Sequence, residues 1–152
     1  MNISSAAKRA LIPIEREIMS QPIEYFYQLN NQGEILTHLK GNTDSVGIKY
    51  IKDDLISTHN HPTGKFLTTI DIMSAIRLRN REIRVVTKDG YCHLAEIPKL
   101  DFFEKMNCQS LLIRYQDLFN KEGYSWGLIR KMKKDIKKNY GLKFRTILLP
   151  KS

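Results

Sequence analysis

Residues 53–80 read DDLISTHNHPTGKFLTTIDIMSAIRLRN, and the pattern in this stretch decides the fold. Asp53 to Thr58 reads as a short strand, and His59-Asn60-His61-Pro62-Thr63-Gly64 breaks it. Beyond the break, Ile72, Met73, Ile76 and Leu78 recur near the helical period. This predicts a helix capped by Thr68 or Thr69 and fading at Asn80. A strand that delivers two histidines is therefore followed directly by a helix. Side chains alternate on an extended chain, so His59 and His61 point to one face and can converge on one ion.

Working outward, Ala7, Ala10, Leu11, Ile14 and Ile18 predict a helix within residues 4–19, weakened in its middle by Pro13. EYFYQLN (residues 24–30) and GEILTHL (residues 33–39) predict a β-hairpin, and Gly41 to Gly47 a turn-rich crossing. EIRVVT and YCHLAEI flank Lys88-Asp89-Gly90 and predict a second hairpin. Helices follow from Leu100 to Asn120 and from Ser125 to Tyr140, then a last extended run, FRTILLP. The expected class is mixed α/β, with no internal repeat.

The 152 residues suit one domain, and 41% apolar with 27% charged residues is ordinary globular usage that excludes a disordered chain. Cys92 and Cys108 are too few for a disulfide framework and are expected to be small buried hydrophobes in a reducing compartment. No apolar run nears the roughly 20 residues of a membrane span, and the first residues lack a signal-peptide core. The expectation is a soluble cytoplasmic protein. Charge is the outlier, at +9. Residues 1–120 carry 15 basic and 14 acidic side chains, whereas residues 121–152 carry 10 basic against only Glu122 and Asp135. This asymmetry divides the chain into residues 1–120 and a basic extension, 121–152, expected to pack on the same domain.

Asp71 falls in the first turn of the helix after the histidines, where its carboxylate can turn back toward the strand end. Two imidazoles and one carboxylate leave a fourth tetrahedral position open for water, the arrangement of catalytic zinc sites. Such a site needs a general base, for which Glu24 is the candidate and Glu34 the rival. Plainer alternatives stand beside these readings. Thr68-x-x-Asp71 is also the outline of a capping box, compatible with metal ligation by Asp71. His59 and His61 can instead be turn histidines bonded to backbone. His38 and His93 have no acid or histidine at ligand spacing and are expected to be structural.

Glu24, the run His59-x-His61-Pro62 and Thr68-x-x-Asp71 resemble the JAMM motif of MPN-domain (JAB) metallohydrolases. Residues 20–97 are similar to the bacterial, archaeal and phage branch of that family, RadC-like proteins included. The resemblance implies an MPN/JAB-like (cytidine-deaminase-like) mixed sheet flanked by helices. It also implies one zinc ion per chain held by His59, His61 and Asp71, with Glu24 as base and Thr68 stabilising an oxyanion. The implied activity is hydrolysis of peptide or isopeptide bonds, on a protein or peptide substrate such as a ubiquitin-like conjugate. The family usually has Ser where this chain has Thr68.

In the basic extension, Ile129, Met132, Ile136 and Tyr140 form one stripe from Trp126 onward, while Arg130, Lys131, Lys133, Lys134, Lys137 and Lys138 occupy the rest. Either the stripe packs and the lysines are merely solvated, or they form a surface for nucleic acid or an acidic partner. The second option leaves a rival function, a non-enzymatic binding module on the same fold.

Overall fold

The computed structural model describes residues 3–41, 48–64 and 66–150. From Asn42 onward, the predicted crossing before Gly47 lies outside these residues. In chain order the elements are α1 (Ser5–Ile18), β1 (Tyr25–Leu29), β2 (Ile35–Lys40), β3 (Ile56–Asn60) and α2 (Thr69–Arg77). They continue with β4 (Glu82–Val86), β5 (Tyr91–Glu96), α3 (Phe102–Glu122), α4 (Trp126–Tyr140) and β6 (Lys143–Leu148). The six strands form one mixed sheet ordered β2-β1-β3-β4-β5-β6. Only β3 and β4 run parallel; the other neighbours are antiparallel.

A parallel pair requires a crossover, and α2 supplies it. The chain leaves the C-terminal end of β3, turns, and re-enters through the first turn of α2. Ligands in open α/β sheets bind at such carboxyl ends, and this geometry brings His61 and Asp71 together.

The predicted strand is shifted by the structure. Asp53 and Asp54 lie in a turn, Asp54 at φ 64°, and β3 runs from Ile56 through Asn60. Pairing decides this, since Ile56 to Asn60 match Glu82 to Val86 residue for residue. Thr68, rather than Thr69, caps α2, accepting from the Asp71 N–H. Thr69 is buried and bonds Gln116 of α3 instead. Helix α1 continues through Pro13. An interior proline costs about 3 kcal/mol, and the buried stripe Ala7, Leu11 and Ile18 offsets that cost.

Two layers of helix sandwich the sheet. Helix α1 covers one face through Leu11 packed on Leu29 and Ile56. The other face carries the larger core, where Ile72 and Ile76 of α2, Ile83 and Val85 of β4, and Leu112 and Phe119 of α3 meet Ile129, Met132 and Ile136 of α4. The basic segment thus joins the main core through its stripe and adds the edge strand β6 to the sheet. Cys92 and Cys108 are buried and unbridged. Burial pushes the Cys108 thiol up to about 11. No helix among the described residues is long and apolar enough to cross a membrane.

Candidate metal centre

His59 lies on β3 next to its last residue, and His61 follows immediately, its N–H extending the ladder to the Val86 carbonyl at 3.0 Å. A turn then begins, closed by the Gly64 N–H on the His61 carbonyl at 3.0 Å. Alternation holds across this junction, and the two Nε2 atoms stand 3.0 Å apart. Asp71 reaches back from α2, its Oδ1 3.2 Å from His59 Nε2 and its Oδ2 3.5 Å from His61 Nε2. One ligand atom from each residue lies within 4.8 Å of the others, a group able to hold a metal ion.

The electrostatics suit a cation. Burial opposes ionisation of Asp71, but His59 and His61 beside it and the Thr68 N–H outweigh burial and hold its carboxyl to about 2. Burial likewise opposes a charged His59, while Asp71 and the charge of Glu24 outweigh it and raise its pKa above the usual value. A buried carboxylate facing two imidazoles attracts either a proton or a metal ion. Turn histidines bonded only to backbone would not converge on a shared carboxylate.

Thr68 realises the capping box and the site together. Its N–H and hydroxyl both donate to Asp71 Oδ2 at 2.9 Å, and its Oγ1 accepts from the Asp71 N–H at 3.2 Å. The cap therefore aims the ligand, and the hydroxyl proton points at Asp71 in this arrangement.

Glu24 immediately precedes β1, and its charge is felt at His59. The rival Glu34 lies in the β1–β2 hairpin, its Oε1 accepting from Asn30 at 3.0 Å. The ladder pairs Phe26 with His59 but Leu29 with Ile56. Glu34 is thus at the far end of β1, at least about 10 Å along the strand from the histidines. Of the two, Glu24 is the one within electrostatic reach of His59. His38 stacks on Tyr27 with ring centroids 4.3 Å apart, and His93 Nδ1 meets Thr146 Oγ1 at 3.0 Å.

Sequence reading missed two elements of this site. Asn60 points to the opposite face from the histidines, fully buried, and ties down the strand that carries Glu24. Its Oδ1 accepts from the Tyr25 N–H at 2.6 Å, and its Nδ2 donates to the Ile23 carbonyl at 2.8 Å. A polar residue in a strand buried on both faces must find partners, so its position between two histidines was the available signal. The second element lies behind the site, where Thr58 donates to Glu15 at 2.7 Å. Glu15 of α1 takes the Arg84 guanidinium in a bidentate pair at 2.8 and 2.9 Å, and Arg84 also reaches Glu82 at 2.8 Å.

No protein-family model, curated protein or solved structure matches this chain.

Proposed function

We propose that the chain is a zinc-dependent hydrolase of peptide or isopeptide bonds, of the JAMM type and on an MPN/JAB-like sheet. The observation that carries the reading is the convergence of His59, His61 and Asp71 beside Glu24. The two Nε2 atoms stand 3.0 Å apart, and Asp71 turns Oδ1 to His59 at 3.2 Å and Oδ2 to His61 at 3.5 Å. One ligand atom from each residue lies within 4.8 Å of the others, near enough for the three side chains to share one ion. Two nitrogens and one oxygen suit zinc.

Zinc, when bound, supplies Lewis acidity that lowers the pKa of water and polarises a carbonyl. Glu24 accepts the proton of the attacking water and returns it to the leaving amine. Asn60 fixes the backbone on either side of Glu24 and so holds its carboxylate on the histidine side. Thr68 keeps Asp71 in its ligating orientation. To serve a developing oxyanion, the Thr68 hydroxyl must rotate its proton away from Asp71.

That last requirement favours one rival reading, a metal-binding module without turnover. Metal analysis and cleavage assays on Glu24→Gln and His61→Ala separate the two. On the hydrolase reading, Glu24→Gln keeps about one zinc per chain and loses cleavage, and His61→Ala loses both. Zinc retained with no cleavage by the unaltered chain across peptide and isopeptide substrates supports the rival.

A further inference from the structure

The cations of α4 meet those of β6 at an edge of the sheet. Lys133, Lys134 and Lys137 line a recess of about 480 Å³ together with Lys143 and Arg145. Glu96, also in the lining, is paired to Arg145 at 3.1 Å. The four lysines have no carboxylate partner among the described residues. Lys133 is half-buried, its Nζ 5.8 Å from the centre of the Phe144 ring, and burial lowers its pKa. A partly desolvated ammonium without a carboxylate is costly until an anion joins it.

The register shows how these cations frame the edge. Phe144 pairs with Ala95, which packs in the α4-side core, so Lys143 and Arg145 project on the other face of β6. Positive groups therefore flank the strand on both faces. No strand pairs with the outer edge of β6 among the described residues. That edge offers a row of backbone donors and acceptors that an extended peptide can match. A second copy of β6 brings like charges and is repelled, and a nucleic acid cannot complete the backbone ladder.

We propose that the outer edge of β6, with the recess beneath α4, is a docking site for an extended acidic polypeptide added as a seventh strand. The proposed hydrolase activity identifies this polypeptide as substrate, an assignment that rests on that reading, whereas the docking itself does not. His93 stands between the two sites, in the same cross-strand row as His59 and within electrostatic reach of both His61 and Lys133. Four strand spacings, about 19 Å, separate a seventh strand beyond β6 from β3. The acidic segment of a substrate then lies about six or more extended residues from the bond cut.

The test is fluorescence anisotropy of the full chain with a labelled peptide of alternating Glu and Thr. Binding should weaken about tenfold in Lys133→Gln/Lys137→Gln and stay unchanged in Lys8→Gln, an exposed lysine on α1. N-methylation of alternate peptide nitrogens should abolish it, which attraction of charge alone does not predict. Equal binding by the double variant, full binding by the N-methylated peptide, or tighter binding of an oligothymidine of equal charge overturns the proposal. Peptide binding kept by His61→Ala upholds docking even where hydrolysis fails. Cleavage without preference for acidic sequences overturns docking as substrate selection and leaves the hydrolase reading intact.

Discussion

Two clusters of ionisable side chains are buried on opposite faces of β3 and β4, and Thr58 and His59, adjacent in sequence, each feed one of them. On the α1 side, Glu15 and Glu82 enclose the guanidinium of Arg84. That cluster has its cation built in. On the α2 side, His59, His61 and Asp71 present converging donor atoms to one another, and among the described residues no Lys or Arg pairs with Asp71. A buried carboxylate needs a positive partner, and the two faces solve the problem differently. The covalently supplied cation makes a structural brace, whereas the His-His-Asp group is one that could hold an exchangeable cation. Burial and charge alone therefore do not separate the two clusters; the kind of partner each carboxylate meets does.

The largest effect that breaks this contrast is on the open cluster. Asp71→Ala should reduce zinc from about one per chain to almost none while circular dichroism stays unchanged. Full zinc in that variant would remove Asp71 from the ligand set. Next, Arg84→Met leaves Glu15 and Glu82 facing each other unneutralised and should cost about 3–5 kcal/mol in urea unfolding, with zinc per folded chain preserved. A loss below about 1 kcal/mol would mean that the closed cluster is no brace. Smaller again, Asn60→Ala leaves the Tyr25 N–H unpaired and should cost about 1–3 kcal/mol. It should lower turnover more than zinc content, because only the Glu24 side loses its anchor.

The smallest effect sharpens the comparison through pH. Burial raises the pKa of Glu82 above 4.5, against the opposing pull of Arg84, and its Oε1 has no partner among the described residues. A raised folded pKa gives stability that is fully present below about 4.5 and lost as pH rises through the folded value. Glu82→Gln should therefore flatten the fall in stability over that window, measured as urea midpoints across pH. An unchanged slope would place the titration elsewhere.

Much of the fold follows from local periodicity. The α4 stripe of Ile129, Met132 and Ile136 forms as its spacing predicts, and His59 and His61 share a face because strands alternate. What sequence alone hid is long-range. Glu15 and Arg84 are 69 residues apart, and nothing local to either says that it is buried. The start of β3 was misplaced because its bounds come from pairing with β4, a partner beyond α2. That Glu34 lies at the end of β1 away from His59 follows from the strand register, which composition does not carry. The spacing of His59, His61 and Asp71 and the capping-box outline at Thr68 were legible locally, while the anchor at Asn60 required coordinates.

The rings of Phe66 and Trp126 stack with centroids 5.7 Å apart. Phe66 belongs to the connection between His61 and Asp71, and Trp126 is the first residue of α4, so this aromatic contact joins the loop between two candidate metal ligands to the helix that lines the basic recess. Equilibrium binding obeys reciprocity: if occupancy of the recess changes affinity for the ion by some factor, the ion changes affinity for the recess ligand by the same factor. Trp126→Ala removes the stack while leaving His59, His61, Asp71 and the lysines in place, so a change in that factor would measure the coupling the stacked pair carries, and an unchanged factor would show that it carries none.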